Sequence, residues 1–284
     1  NRKAFGAAML PRVDHMAFIH DPQQHAYIEG ELPQFSNDLL NELEQRILPL
    51  HDPSNVAAII VEPVSGSAGW YIPPKGYVKR LREICDKHGI LLIFDEVITG
   101  FGRCGSYTGA ESFGVTPDIM NVAKQITNGT QPLGAVLANA DIYNTFMAQG
   151  GPEYMLEFAH GYTYSAHPVA CAVGLAALDV LVKEDMLSRV NALAPYFEAA
   201  VHSLKGVRHV TDIRNYGLAA GFTLEAVPGE PAKRPYEVAM KCWDKGFYVR
   251  YGGDTVQLAP PFIIEKNQID SLVQALGEAL QETH

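Results

Sequence analysis

The segment ILLIFDEVITGFGR, residues 90–103, joins an apolar run directly to two adjacent acids. Five apolar residues follow Gly89 and lead into Asp95 and Glu96. A run of this kind predicts a β-strand that is buried on both faces, as in a parallel sheet covered by helices. A carboxylate at the end of a buried strand costs free energy unless a positive group meets it. We therefore expect a specific positive partner for Asp95.

Helices and strands alternate around this segment. Amphipathic periodicity and end signals predict helices at 36–50, with Ser36 as the N-cap, and at 73–89. Apolar and β-branched runs predict further strands at 55–64, 118–123 and 133–139. Strands that alternate with helices indicate an α/β fold with a mostly parallel sheet.

The C-terminal part of the chain has a different texture. From Ala166 the sequence consists almost entirely of helix formers, with acids near the middle that suggest a break. Shorter strands are predicted after it, at 209–224, 247–252 and 255–260, and a last helix ends near Thr283. We predict a boundary near residue 165, with a large domain at 1–165 and a smaller α+β domain at 166–284.

The charge balance limits the classes of partner. The 284 residues carry a formal net charge of −10, and their lysines and arginines are scattered singly or in pairs. This pattern argues against nucleic acid and against anionic membranes as partners. No apolar segment has the length of a membrane span, and we expect no signal peptide. The ten histidines show no paired ligand spacing, so we expect no metal site.

The four cysteines lie far apart and form no CxxC pair, which predicts free thiols in a reducing, cytoplasmic compartment. The chain does not begin with Met, so its start is either a processed end or the middle of a longer chain.

Three polar residues follow or end predicted strands: Glu62, Asp95 and Lys124. Ligands of open parallel sheets bind at the carboxyl ends of the strands. Lys124 is the only lysine between Lys87 and Lys183, and burial would lower its pKa and make its amine a nucleophile. Taken singly, each residue also has an ordinary explanation, as a surface lysine or as an acid that caps a helix.

A glycine pattern suggests an alternative kind of site, one that binds a dinucleotide. Gly100, Gly102 and Gly105 match GxGxxG just after a strand, as in dinucleotide-binding folds. The strand does not end at the first glycine, however, and residues 106–118 show no amphipathic helical period that could receive a pyrophosphate. A glycine-rich turn is the favoured interpretation. A nucleotide-dependent oxidoreductase is the weaker one.

Asp95 and Lys124 together suit pyridoxal phosphate, because an amine can form an imine with its aldehyde while a carboxylate keeps the pyridine nitrogen protonated. Four motifs carry a resemblance, EPVSGSAG, FDEVITGFGR, NVAKQITNG and HGYTYSAHPVACA. In this order they resemble the class III aminotransferases of the type I pyridoxal-phosphate transferase fold.

This resemblance implies roles for individual residues. Asp95 pairs with the pyridine nitrogen, Val97 packs on the ring, Lys124 is the Schiff-base lysine, and Glu62 belongs to the cofactor site. Thr163 binds the cofactor phosphate of a neighbouring subunit, which implies a homodimer or a homotetramer. Without the resemblance, Thr163 would be interpreted as a cap of the helix that follows it.

Residues that differ from those of other class III enzymes indicate which subgroup the chain resembles. Enzymes specific for ornithine or 4-aminobutyrate have glutamine at the position of Ile98 and glutamate at that of Ser67, and the ornithine type adds arginine at that of Gln257. This chain instead has Arg250 just ahead of a glycine turn, which resembles the ω-amino acid–pyruvate group, including the β-alanine–pyruvate aminotransferases. The resemblance implies that Arg250 binds the carboxylate of pyruvate or alanine through two parallel hydrogen bonds. A surface ion pair is the alternative.

The implied reaction is ping-pong transfer of an amino group from an ω-amino acid or amine, such as β-alanine, to pyruvate. It gives alanine and an aldehyde or keto product, and Lys124 moves the proton. The family has a further N-terminal portion with a phosphate-binding turn, and this chain lacks it. We therefore expect the large domain to be incomplete and the 284 residues alone to be inactive. A non-catalytic fragment or module of the fold remains an alternative.

Overall fold

The computed structural model describes residues 6–30 and 38–284, which contain two four-stranded sheets. The first sheet has the order β1-β2-β3-β4. Its strands are β1 (Ala58–Val61), β2 (Leu91–Asp95), β3 (Ile119–Val122) and β4 (Ala135–Ala138). The first three are parallel and β4 runs antiparallel to β3, which confirms the predicted mostly parallel sheet of an α/β fold.

Eleven α-helices are found within the described ranges. In chain order they are α1 (Pro22–His25), α2 (Asp38–Glu42), α3 (Leu48–His51), α4 (Gly66–Gly69), α5 (Tyr77–His88), α6 (Gly109–Phe113), α7 (Ala140–Gln149), α8 (Pro168–Lys183), α9 (Met186–His202), α10 (Lys233–Asp244) and α11 (Lys266–Gln281). Single 3₁₀ turns occur at Gly6–Ala8, Pro53–Asn55 and Lys124–Thr127.

The helix predicted at 36–50 is not regular. A π-helical turn, Leu43–Ile47, separates α2 from α3 just before Pro49. Proline lacks an N–H and collides with the carbonyl four residues earlier, so a wider turn accommodates it. Ser36, the predicted N-cap, lies outside the described residues.

Helix α5 agrees with the helix predicted at 73–89. Its buried face includes Leu81, Ile84 and Cys85, and it packs against β2. It ends at Gly89, whose φ of +68° is left-handed and whose N–H bonds the last carbonyls. Strand β2 then begins at Leu91 and places Leu92 and Phe94 in the core. The helix and the strand therefore bury the apolar residues that predicted them.

The second sheet is antiparallel and has the order β5-β6-β8-β7. Its strands are β5 (Val210–Asn215), β6 (Ala220–Leu224), β7 (Arg250–Gly252) and β8 (Thr255–Leu258). The helical region before it breaks at Asp185, which has a φ of +46° and lies between α8 and α9. The break predicted at the acids is therefore confirmed, although α8 begins at Pro168, two residues after the predicted start.

The two sheets lie in two separate apolar cores, and a third, smaller cluster joins them. This joint cluster contains Val64, Trp70, Ile72, Cys104 and Ala219. Helix α8 packs on the turn Lys124–Thr127 as well as on α9, so it contacts elements on both sides of residue 165. The domain boundary near residue 165 stays a prediction.

The outer strands of the first sheet expose apolar side chains. Ile60 of β1 is 60% exposed, and Val136 and Leu137 of β4 are 70% and 49% exposed. All four cysteines are free thiols, as predicted. Among the described helices, none is long and apolar enough to cross a membrane.

Candidate functional site

Three parallel strands end at the same edge of the first sheet. Val61 pairs with Phe94, and Asp95 pairs with Asn121. Glu62 follows β1, Asp95 ends β2, and Lys124 lies two residues after β3. The sheet therefore brings Glu62, Asp95 and Lys124 to one edge, as expected of residues at the carboxyl ends of parallel strands.

Asp95 is half-buried, and one of its oxygens is already occupied. The backbone N–H of Val97 donates to Asp95 Oδ1 at 3.0 Å, which fixes the direction of the carboxylate. Its other oxygen accepts no hydrogen bond from the described residues. Because this oxygen has no donor within the described chain, it is available to a protonated group of a bound ligand.

The pKa of Glu62 is affected by the nearby charges of Asp95 and Lys124. Burial raises the pKa of the Glu62 carboxyl, and the charge of Asp95 raises it further, while the N–H of Gly66 and the charge of Lys124 act in the opposite direction. The Gly66 N–H donates to Glu62 Oε2 at 2.8 Å. Glu62, Asp95 and Lys124 therefore form one electrostatic cluster.

Lys124 adopts an unusual backbone conformation. Its φ is +46°, in the left-handed region that costs about 1 kcal/mol or more for a residue with a Cβ. The turn that it begins is fixed by a 3.1 Å hydrogen bond from the Gly129 N–H to the Lys124 carbonyl and by packing against α8. Lys124 is exposed, so the burial considered from the sequence is not found in the described chain. Lys124 also borders a cavity.

This cavity, of about 180 Å³, lies between the two sheets. Its lining contains both polar and apolar residues. The polar lining residues are Arg103, Lys124, Gln125, Arg250 and Gln257. The others are Trp70, Ile98, Ala219, Ala220, Leu258, Ala259 and Gly66. Two residues singled out in the sequence, Lys124 and Arg250, therefore face the same space.

Arg250 is the first residue of β7 and is exposed. It pairs directly with Gln257 of β8, so the two side chains lie on the same face of the sheet. Gln257 Nε2 donates to the Ser67 carbonyl at 3.1 Å. The two departures at Ser67 and Gln257 are thus in contact, and they link the Arg250 strand to α4.

Glu96 directly follows Asp95, and the sequence analysis predicted no role for it. It is completely buried, and its oxygens accept the N–H groups of Gly109 and Ala110, both at 2.7 Å, as well as the Thr99 hydroxyl. Residues 106–118 do contain one short helix, α6, of five residues. Its N-terminus is occupied by Glu96, so a pyrophosphate cannot bind there without displacing a buried carboxylate.

Val97 is half-buried beside Asp95, whereas Thr163 lies elsewhere. Thr163 is exposed in the turn before α8 and does not line the cavity. Arg103, which sequence reasoning passed over, does line it. Its only sequence signal was its place in the glycine-rich segment after Asp95.

The sequence of the chain matches known proteins along almost its whole length. A family model described as "Aminotransferase class-III" matches residues 2–280. The beta-alanine–pyruvate aminotransferase of Pseudomonas aeruginosa is 55% identical over 99% of this chain and 62% of its own length. The omega-amino acid–pyruvate aminotransferase of Pseudomonas putida is 53% identical over the same shares. The chain thus spans less than two thirds of the curated relatives that it matches.

Solved structures are similar in fold. A protein described under "Directed Evolution of Transaminases By Ancestral Reconstruction" has a TM-score of 0.84 and 30% identity, over 96% of this chain and 61% of its own. An (S)-enantioselective omega-transaminase from Thermomicrobium roseum has a TM-score of 0.80 and 36% identity, over 86% and 55%. Together with the cluster of Glu62, Asp95 and Lys124 at one sheet edge, these matches show that the chain belongs to the class III aminotransferases.

Proposed function

We propose that the protein carrying these residues transfers an amino group from an ω-amino acid or amine, such as β-alanine, to pyruvate, giving alanine and an aldehyde or keto product. The observation that carries this proposal is that Lys124 and Arg250 border one cavity. The similarity to the two Pseudomonas aminotransferases that use pyruvate supports it. Because the chain spans 62% of each relative, activity and substrates are inferred for the whole protein.

Class III aminotransferases depend on pyridoxal phosphate, and the donor set at the sheet edge fits this group. Asp95 has a carboxylate oxygen that accepts no hydrogen bond from the described residues, and it would hold the protonated ring nitrogen. Val97 would pack on the ring, Lys124 would supply the amine that holds the aldehyde carbon, and Glu62 would lie nearby. When bound, the cofactor draws electrons from the substrate carbon that bears the amino group.

Lys124 then acts as a base. Its amine would remove the proton from the amine-bearing carbon of the donor and would pass that proton on to a carbon of the bound cofactor. A positioned base of this kind contributes about 10²–10⁴-fold in rate. The exposed, cavity-facing side chain supports this role, because the amine must move between two carbons rather than stay fixed in a buried ion pair.

Arg250 would select the carboxylate substrates. Its guanidinium can bind the carboxylate of alanine or pyruvate through two parallel hydrogen bonds. Because Arg250 is exposed, it can also move aside for amines without a carboxylate. Those amines would lie against apolar lining residues such as Trp70 and Ile98.

We further propose a homodimer or homotetramer in which Thr163 binds the cofactor phosphate of a neighbouring subunit. The turn that contains Thr163 is exposed, and apolar side chains around it are exposed as well: Leu156 by 74%, Phe158 by 57%, and Tyr162 and Tyr164 by 79% each. A surface of this kind is typical of protein–protein contact.

The free thiols support a reducing, cytoplasmic location.

The test is to add pyridoxal phosphate to the purified protein, reduce with borohydride, and map the labelled lysine by mass spectrometry. We expect the label on Lys124, and we expect amine-dependent formation of alanine from pyruvate. Lys124→Ala should abolish the label and lower turnover by at least about 10²-fold. The control is Lys183→Ala, since Lys183 is a well-exposed lysine at the end of α8. Near-normal turnover of Lys124→Ala would refute the assignment, and a folded protein with neither label nor turnover would be a non-catalytic member of the fold.

A further inference from the structure

The glycine-rich segment GFGRCG, residues 100–105, holds no nucleotide site but contacts the second half of the chain. A Cβ on Gly102 would lie 2.8 Å from the ring of Phe262, and a Cβ on Gly105 would lie 2.1 Å from Asn191 Oδ1. The Asn191 amide donates to the Gly105 carbonyl at 2.8 Å. The glycines are therefore required for the close approach of two packed surfaces.

Arg103 crosses this contact. Its Nη1 donates to the carbonyls of Leu218, at 2.9 Å, and Pro260, at 2.7 Å. Its own carbonyl accepts the Leu218 N–H at 3.2 Å, and its guanidinium lies 4.7 Å from the centre of the Phe262 ring. One side chain thus joins the segment after β2 to the turn before β6 and to the end of β8.

Arg103 has an unusual setting for an arginine. Carbonyl oxygens and a ring face surround its guanidinium, and burial lowers its pKa to about 10. The group therefore stays charged at neutral pH but is held by directional contacts with the backbone. Because a buried charge must keep its hydrogen bonds, the carbonyls of Leu218 and Pro260 are fixed relative to Arg103.

The fixed carbonyls adjoin the cavity. Ala219 follows Leu218 and Ala259 precedes Pro260, and both line it beside Arg103 itself. Strand β8, which leads to Pro260, pairs with β7, where Arg250 is the first residue. A movement of the β8 end would therefore move Arg250 relative to Lys124.

We propose that Arg103 is a positioning residue that sets the distance between the carboxylate clamp at Arg250 and the reacting amine at Lys124. The proposal rests on the proposed amino transfer to pyruvate, and it assigns to Arg103 no contact with substrate. A misplacement of reacting groups by about 1 Å costs on the order of 10²-fold in rate. Loosening the Arg103 anchor should therefore impair most strongly the substrates that use the clamp.

The experiment compares Arg103→Lys with Arg189→Lys in the full protein. Arg189 is a matched control, because it donates to the backbone carbonyls of Phe262, Ile263 and Ile264 from α9 without lining the cavity. We expect Arg103→Lys to lower kcat/KM for alanine by about 10- to 100-fold, and much less for an aliphatic amine without a carboxylate. Arg189→Lys should not separate the two substrates.

A double-mutant cycle then tests whether the effect of Arg103→Lys on kcat/KM acts through Arg250. In an Arg250→Ala background, Arg103→Lys should change kcat/KM for alanine by no more than about twofold, since the anchor would have no clamp left to position. A loss in that background as large as in the wild type would overturn the proposal and would make Arg103 a direct substrate ligand. Equal losses for alanine and the amine would also overturn it.

A readout without activity separates this inference from the proposed function. Cys104 is buried in the joint cluster beside Arg103, whereas Cys85 and Cys242 are buried in the two main cores. Arg103→Lys should speed maleimide labelling of Cys104 by about three- to tenfold relative to Cys85, and Arg189→Lys should not. An unchanged rate of Cys104 labelling would refute the proposal that Arg103 anchors this segment. If the wild-type protein makes no alanine, the proposed function fails. The labelling result still decides whether Arg103 stabilises the joint cluster.

Discussion

Replacement of Arg214 by methionine should be among the most destabilising single changes in the second half of the chain. Arg214 and its partner Asp212 have side chains that are only 2% and 4% exposed. Arg214 donates to the Gly69 carbonyl through Nε at 3.1 Å and through Nη2 at 2.9 Å, and Nη1 donates to Asp212 and to Thr223 Oγ1. Its guanidinium also lies 4.1 Å from the centre of the Tyr71 ring. The side chain therefore joins β5 to the end of α4 and to Tyr71, which follows it.

The expected magnitude follows from what the substitution leaves behind. Removing one partner of a buried ion pair costs about 3–5 kcal/mol, because the other charge stays buried. Here Asp212 keeps two partners, His20 Nε2 at 3.2 Å and the Tyr27 N–H at 2.7 Å. We therefore expect the lower end, about 3 kcal/mol, together with a Gly69 carbonyl that loses its two donors.

Urea unfolding followed by circular dichroism measures this loss at fixed cofactor concentration. The control is Lys183→Met, which removes a well-exposed ion pair with Asp179 and should change the midpoint little. A destabilisation by Arg214→Met that is no larger than that of the control would refute the reasoning.

Acid should reduce the difference between Arg214→Met and the wild type. Burial opposes ionisation of Asp212, but hydrogen bonding to His20 and the charge of Arg214 outweigh it and lower the pKa of Asp212 below its ordinary 3.8. The stability that this carboxylate contributes is present above pH 3.8 and is lost as the pH falls through the lower folded pKa. A difference that stays constant through this window would show that Asp212 is not the group left unpaired.

Three further predictions concern the candidate site. Asp95→Asn should keep cofactor binding but reduce transamination by at least about 10²-fold, measured by absorbance and by alanine formation; loss of the cofactor with a normal rate per site would instead make Asp95 structural. Arg250→Ala should lower kcat/KM for alanine by at least about tenfold, because Arg250 is exposed and solvent weakens its two charge-assisted bonds, and should spare an amine without a carboxylate; equal losses would refute the clamp. Glu62→Gln should stabilise the cofactor-free protein at neutral pH, because burial and Asp95 raise the pKa of Glu62: the stability of its protonated form is complete below pH 4.5 and is lost as the pH rises through the folded pKa. Thermal melting across this range checks it, and an advantage that persists below pH 4.5 would contradict it.

Several features of the site could be predicted from the sequence. The apolar runs before Glu62, Asp95 and Lys124 predicted parallel strands, and the carboxyl ends of such strands lie at one edge by geometry. The clustering of the three residues followed from this rule. The backbone of Lys124 could not be predicted in the same way, because a left-handed lysine is held by contacts with α8 and with the Gly129 N–H rather than by its own preference.

The amino-acid sequence alone is enough to predict the elements whose stabilising contacts are local. Helix α5 could be predicted from its apolar face and from Gly89, and β2 from an apolar run, because periodicity and end signals act over a few residues. The binding partners of the polar loop residues, by contrast, depend on the packing of the whole fold. Glu96 binds the start of α6, and Arg103 and Arg214 reach carbonyls on the opposite side of the joint between the sheets. Such partners lie far away in the chain, and their contact depends on how two separate cores pack, which no local pattern encodes.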